Sequence, residues 1–450
     1  VSSERPEAAP PADPPAPPQP EQAAATTPAP RSLIHHADFR RLWLGDGLGQ
    51  LGAQLGNLAI PVFAVATLDA TAWQMGALTA AESAAFLAIG LPAGAWVDRM
   101  RKRHTLISAD LVRATVLAVV VVVALTGHAS MPVLYAAALA MSAATVFFDV
   151  AYQSYLPGLV GPTHLVQGNS LLQATQSVAQ IAGPALGGLL LRVMSAPMLL
   201  VGTVITYLSS ATAVSRIRMV EQLPDPATRR PLRHEVAEGL SFVLRHPLLR
   251  RVVACTGISN LSSSIAGALL VLYVLRELGL TEAQLGVVFS ASAIGGLLGA
   301  LASSRLARWL GEGRVIPLAA LMSPPAWALV PLAGPLTHLG VPAIVTLTAA
   351  GVSFYAFVVV YNVAQVSFRQ RVCPPALLGR MNASVRFLVW GPMPIGGLLG
   401  GVLGERLGVV TTLWVAVVGL ALAAVPVVAS PLWRMRTLPG PAEPEPAQVS

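Results

Sequence analysis

Apolar stretches of about 20 residues, the length that crosses ~30 Å of hydrocarbon as a helix, recur along the chain between short runs of Gly, Pro and charge. That pattern predicts twelve helices, over roughly 39–67, 74–97, 104–126, 131–156, 165–191, 196–216, 251–275, 284–308, 314–334, 342–367, 378–403 and 408–432. An even number places both termini on one side of a membrane. Arg and Lys select the side. They gather after the second helix (Arg99, Arg101, Lys102, Arg103), between Arg216 and Arg251, around Arg305, Arg308 and Arg314, and around Arg369, Arg371 and Arg380; the alternate loops hold only Arg192, Arg276 and Arg406. Positive charge is retained in the cytoplasm, so both termini are expected there.

The connection over 217–250 is the one long segment between predicted spans, and it divides the chain into six helices plus six. The domains expected are a bundle over 33–217, a linker over 218–250, a second bundle over 251–436, and Pro/Ala-rich tails at 1–32 and 437–450 that lack the apolar content to fold. In the linker, Val236, Leu240, Val243 and Leu244 share a helical face opposite charge, which predicts a helix lying on the membrane surface. The halves also repeat. A shift of 213 residues sets Asp149 on Asn362, Ala151 on Ala364, Ser154 on Ser367 and Asn169 on Asn382, then Gly183, Gly187 and Gly188 on Gly396, Gly400 and Gly401. A shift of 205 sets Gly90 and Gly94 on Gly295 and Gly299.

Composition narrows the class. Of the 450 residues 54% are hydrophobic and 11% charged, against about 25% charged in soluble proteins, so the chain is read as a multi-pass, all-α membrane protein. The net charge of +8 comes from Arg clusters at membrane edges and calls for no nucleic acid. Two cysteines, Cys255 and Cys373, do not make a disulfide framework. The single lysine, Lys102, lies outside any GxxxxGK[ST] loop, which excludes an ATP-driven pump. No cluster of metal ligands or nucleophiles is present, so neither a cofactor nor an enzymatic activity is expected.

Two parallel six-helix repeats, the long central loop and the turn Gly94-xxx-Asp98-Arg99 followed by Lys102 and Arg103 resemble the major facilitator superfamily from about residue 33 to 436. Arg101 stands where many members have a second Gly, a departure that looks like the branch containing the enterobactin exporter and macrolide efflux pumps. AGPALGG at 182–188 resembles the GPxxGG element of proton-coupled exporters. The resemblance implies two pseudo-symmetric bundles of six helices. Helices one, four, seven and ten then line a central cavity, and two, five, eight and eleven flank it. It also implies a latch in which Asp98 meets the start of helix eleven near Leu378 to Arg380, and a gate at Gly183, Pro184, Gly187 and Gly188. The glycines on helices two and five have a simpler reading as points of close helix approach, with Pro184 permitting a bend.

Each charge inside a bilayer costs at least ~2.5–3.5 kcal/mol and needs a partner or a role. Six such residues are expected: Asp46, Glu82, Asp110, Arg113, Asp149 and Arg386. Asp110 and Arg113 share a helix face, and by depth Asp149 joins them in an ion cluster. Polar rows on helix one (Asp46, Gln50, Gln54, Asn57) and helix five (Asn169, Gln173, Gln176, Gln180) cannot face lipid, and the helix placement that the resemblance implies adds Asn260 on helix seven with Tyr361 and Asn362 on helix ten to complete a polar passage. Amides in such rows also serve as interhelical hydrogen bonds. Glu82 has no basic residue at its depth, so it and Asp46 are the candidates for reversible protonation, while Arg386 either attracts an anionic substrate or pairs with Asp46. The function expected is proton-coupled efflux of an amphipathic small molecule, such as a drug, macrolide or siderophore, by a monomer in the cell membrane. An uptake symporter of the same fold and a non-transporting membrane sensor are the alternatives.

Overall fold

The computed structural model describes residues 33, 36–219, 221, 232–374 and 377–437, with side chains left undescribed at a few helical positions including Asp98, Val236, Leu378 and Gly379. Fourteen helices are described: α1 Ala37–Ala66, α2 Ala72–Ala88, α3 Gly90–Asp98, α4 Lys102–Leu125, α5 Met131–Leu190, α6 Ala196–Ser215, α7 Leu232–Arg245, α8 Pro247–Leu272, α9 Glu282–Leu310, α10 Glu312–Thr337, α11 Ala343–Val372, α12 Leu378–Trp390, α13 Pro392–Leu407 and α14 Val409–Val428. A π turn, Tyr273–Glu277, extends α8. No strand occurs among the described residues.

Differences from the predicted spans have local causes. The fourth and fifth predicted helices form one element, α5, interrupted at Gly161 (φ 71°, ψ 168°), where the following Pro162 disfavours helical dihedrals and Gly tolerates positive φ. The second predicted helix is split at Ile89 (φ −125°, ψ 0°), ahead of Gly90 and Pro92, into α2 and α3. The eleventh is split at Gly391–Pro392 into α12 and α13. Among the described residues ten helices are long and apolar enough to cross a membrane. The predicted spans 74–97 and 165–191 fall outside that set, the first because of its break and the second because of its amide row.

The two halves repeat in their caps at an offset of 210 residues. His36 and His246 each accept a hydrogen bond through Nδ1 at the start of α1 and α8, from the backbone N–H of Phe39 and Leu249. Thr71–Gln74 and Thr281–Gln284 each form a reciprocal capping box at the start of α2 and α9. Just before those boxes, Asp69 (φ 51°) and Gly279 (φ 63°) occupy the same left-handed position. A side-chain cap contributes about 0.5–2 kcal/mol. Placed at corresponding points, these caps fix where the helices of each half begin.

Packing divides the molecule into two ends. On the far side, where α1 and α8 end, one apolar core runs through both halves and includes Phe63, Met75, Leu269 and Leu285, all 2% exposed or less. On the near side, where α1 and α8 begin, the core is split into a cluster from the first half (Phe39, Leu106, Val214) and another from the second (Leu249, Ile316, Phe368). The halves therefore meet at the far side and part at the near side.

Two cross-half contacts seal the far side. A Cβ on Gly76 of α2 would lie 2.4 Å from the Cα of Gly401 in α13, and one on Gly188 of α5 would lie 2.8 Å from the Cα of Gly286 in α9. Without a hydrophobic drive between membrane helices, close packing through small residues contributes much of their association, and at these two contacts a Cβ would collide with the facing backbone. The α5 element expected to act as a gate thus supplies Gly188, and Pro184 supplies a carbonyl 2.7 Å from where a Gly286 Cβ would stand. Gly183 and Gly187 pack against Gln54 and Leu58 of α1 in the same half. Gly90 and Gly94, expected at a close approach, have nothing within 4 Å of where a Cβ would stand.

The linker helix α7 packs on the start of α12: Gly239 sits against the Arg380 carbonyl, Glu238 pairs with the Arg380 guanidinium, and Val243 is fully buried in the near-side core of the second half.

Candidate functional site

Between the parted halves lies a cavity of about 730 Å³. From the first half α1 supplies Asp46 and Gln50, and α5 supplies Asp149, Tyr152, Gln153, Asn169, Gln173 and Gln176. From the second, α8 supplies Thr256 and Asn260, α11 supplies Asn362, Gln365 and Arg369, and α12 supplies Asn382, Arg386 and Trp390. Gln153, Asn169, Gln173 and Asn382 are exposed, so the cavity is accessible, and with the far-side core closed it opens toward the near side.

The charges along its wall are sorted by partner. The Arg386 guanidinium donates to Asp149 Oδ2 at 3.0 Å, joining α12 to α5 across the two halves, and it stacks 5.6 Å from the Phe86 ring and 5.2 Å from the Trp390 ring. Cation–π contact of this kind favours a charged, oriented guanidinium. Asp149 is thus bonded to Arg386 and not to Arg113, and Arg386 is bonded to Asp149 and not to Asp46. The expected three-membered ion cluster reduces to Asp110 and Arg113, 3.5 Å apart and buried, with Arg113 over Phe148 and Tyr207 at 4.3 and 5.3 Å. Asp46 is 4% exposed; the Gln50 amide donates to it at a long 3.4 Å, and the Tyr152 hydroxyl interacts with it from α5.

Glu82 is exposed, with no ion pair described. Seven residues before it on the same face of α2, Met75 is buried in the far-side core shared by both halves; four residues after it, Phe86 packs on Trp390 at 4.7 Å. Glu82 shares that helical face but is not among the residues lining the central cavity.

Several expected cavity residues lie elsewhere. Gln54, Asn57 and Gln180 line a separate cavity of about 380 Å³, closer to the sealed side, with Pro184, Ser292 and Tyr355. Tyr361 is buried and bridges α11 to α8, its hydroxyl 2.9 Å from Thr256 Oγ1 and donating to the Val252 carbonyl at 3.1 Å. Asn260 lines the cavity but also donates to the Val389 carbonyl at 2.6 Å. Conversely, Arg369, read as a loop charge, lies within α11 on the cavity wall, at helical spacing from Asn362 and Gln365. That spacing was the available signal.

At the near-side turn the expected latch centres on Asp98, whose side chain lies outside the described residues. The neighbouring basic residues have other partners. Glu221, in the connection after α6, accepts from the backbone N–H of both Lys102 and Arg103 at 2.6 Å and so neutralises the positive end of α4. The Arg103 guanidinium donates to the Val214 and Ser215 carbonyls at the end of α6, and Arg99 is exposed.

On the far side, sequence reading missed a clasp. Arg276 in the π turn of the second half donates to the Val65 and Ala70 carbonyls at 3.0 and 2.9 Å and to Asp69 Oδ1 at 2.5 Å, all in the first half. Glu405 of α13 accepts from the N–H of Trp73 at the start of α2, at 3.4 Å. A polar cavity on one side of a two-half helical bundle, with glycine seals and a clasp on the other, is the geometry of a transporter.

Comparison with known proteins agrees. Residues 26–444 match the family described as transmembrane secretion effectors, within the major facilitator superfamily, and the chain belongs to that family. It is 28% identical over 333 residues to the multidrug efflux pump Tap of Mycolicibacterium fortuitum, covering 72% of this chain and 78% of that one. It is 25% identical over 363 residues to the enterobactin exporter EntS of Salmonella typhi, covering 78% and 81%. Among solved structures it is similar in fold to a bacterial homologue of the iron transporter ferroportin in its inward-facing state (TM-score 0.69, 16% identity, 88% of this chain and 98% of that one). The nucleoside transporter NupG is similar as well (TM-score 0.68, 13% identity, 87% and 98%). The chain is therefore a multi-pass membrane transporter of the efflux type, not an enzyme.

Proposed function

We propose that this chain exports an amphipathic small molecule in exchange for protons, by alternating access between halves over 33–217 and 251–436 joined by the 218–250 linker. The Arg-rich near side is taken as cytoplasmic, because basic loops are retained there. In the state described, substrate enters the cavity from the cytoplasm and the far-side seal blocks escape. Relatives named for multidrug and enterobactin efflux support a substrate with both apolar and polar surface. The Phe86–Trp390 pair and the surrounding amides offer such a molecule aromatic and hydrogen-bonding partners.

The observation that supports proton exchange is the division of the acids within the spans into paired and unpaired. Asp149 is neutralised by Arg386 and can enter a closed, dry state as it stands. Asp46 and Glu82 have no described ion pair, and a closed bilayer cavity penalises an uncompensated carboxylate by several kcal/mol. Each must be neutralised before the cavity closes, by a proton on the return stroke or by substrate groups on the export stroke. Alternation between those two neutralisers is antiport.

Everted membrane vesicles with an imposed acid-inside gradient test this. Accumulation of a fluorescent amphipathic dye should collapse with a protonophore and fall at least ten-fold in Asp46→Asn or Glu82→Gln, with each variant still inserted. Gradient-independent accumulation by the unaltered chain, or undiminished gradient-driven accumulation in both variants, contradicts this reading.

A further inference from the structure

A second concave site lies on the opposite face of α11 from the central cavity. Asn362, Gln365 and Arg369 face the cavity, whereas Val363, Ser367 and Arg371, roughly half a helical turn away at about 100° per residue, line a groove of about 660 Å³. Its other wall is the end of α9, through Ser304 and Ala307. Deeper in, α9 and α11 touch through backbone, since a Cβ on Gly299 would lie 2.4 Å from the Ala356 carbonyl oxygen, and this closes the floor. From Gly311 at the mouth to Ala300 the groove runs eleven residues along α9, about 16 Å into the membrane region.

The mouth carries Arg308, Arg371 and Arg436 with one acid, Glu312, which Arg371 holds at 2.5 and 3.1 Å. Arg308 and Arg436 are exposed, leaving the mouth positive. Beside them, at the near-side end of α9, Trp309 is 83% exposed, and an indole at the end of a membrane helix is favoured among lipid headgroups. A positive mouth above a narrow groove of small residues, turned away from the transport cavity, matches a molecule with an anionic head and an apolar tail.

We propose that this groove binds one anionic phospholipid, its phosphodiester held by Arg308 and Arg436 and one acyl chain laid between Ser304 on α9 and Ala364 on α11. A soluble phosphate would use the mouth and leave the groove empty. The site requires that the chain spans a bilayer and is independent of the direction or coupling of transport.

The full chain in phosphatidylcholine nanodiscs, titrated with brominated phosphatidylglycerol, tests it through the tryptophan fluorescence component that Trp309→Phe removes. That component should be quenched saturably by brominated phosphatidylglycerol at low mole fraction, and weakly by brominated phosphatidylcholine. With about five-fold in affinity per basic residue at an anionic surface, Arg308→Gln/Arg436→Gln should raise half-saturation about 25-fold. Ala364→Leu, which fills the groove at constant charge, should also weaken binding, and millimolar inorganic phosphate should not displace the lipid. Equal quenching by both lipids, displacement by phosphate, or an unchanged double variant overturns the proposal. Should the double variant not assemble, native mass spectrometry of the unaltered chain decides: one retained phosphatidylglycerol supports the site, and equal retention of phosphatidylcholine overturns it.

Discussion

Asp149 and Arg386 are 237 residues apart in sequence and belong to different halves, yet their side chains meet at 3.0 Å on the wall of the central cavity. Their side chains remain 34% and 30% exposed. The pair spans the interface between the halves, so alternating access as proposed requires it to differ between transport states. At this exposure the desolvation cost is partial, so a double-mutant cycle over Asp149→Asn and Arg386→Gln should return a coupling of about 1–2 kcal/mol in the state open to the near side. Coupling near zero in thermal unfolding of the single and double variants would show the pair to be incidental.

The pair formed by Asp110 and Arg113 behaves differently because it is buried. Asp110→Asn leaves the buried Arg113 guanidinium without its paired carboxylate, with Phe148, Tyr207 and the more distant Asp149 around it, and removal of one partner of a buried pair costs about 3–5 kcal/mol. Replacing both, as Asp110→Leu with Arg113→Met, should recover most of the lost stability in a thermal melt while transport is retained. Transport abolished in a well-folded double variant would move this pair from structure to mechanism.

Arg276 holds the far side shut through two backbone carbonyls and one carboxylate. Asp69 is 93% exposed, so its ion pair contributes at most about 1 kcal/mol, while hydrogen bonds from a charged donor contribute about 1.5–3 kcal/mol each. Arg276→Ala should therefore raise far-side accessibility of an introduced cysteine about ten-fold or more, and Asp69→Ala should raise it less than five-fold. Equal effects would assign the clasp to the ion pair.

At the glycine seals a single methyl group is enough. Gly76→Ala places a carbon where 2.4 Å separates it from the Gly401 backbone, and Gly286→Ala meets the Gly188 Cα at 2.7 Å. Each variant should fold, fail to close the far side, and lose at least ten-fold in transport. Gly94→Ala, in open space, should transport normally.

Much of this architecture was readable from local signals. Apolar run length located ten of the helices, and spacing by three and four residues put Asp46 with Gln50 and Asn169 with Gln173 on common faces. The breaks at Ile89 and Gly391 also had local signals in Pro92 and Pro392 that the long apolar runs masked. Partners across the halves did not. Arg276 finds Asp69 at a separation of 207 residues, and nothing near either residue encodes the other. Glu221 was missed because the acid that caps α4 comes from the connection after α6, two helices later. Gln54 and Asn57 continue the row begun by Asp46, yet the far-side closure places them in a different cavity, a consequence of how the halves tilt and not of helix periodicity.

The most direct test is a pair of distance measurements on one reconstituted sample. Both native cysteines are buried, and once they are replaced by Ser, spin labels can be placed at exposed near-side positions Arg101 and Gln370, or at exposed far-side positions His128 and His338. Adding substrate under a proton gradient should shorten the near-side distance and lengthen the far-side distance together. Two distances that stay fixed, or that change in the same direction, would contradict a cavity that opens to one side at a time.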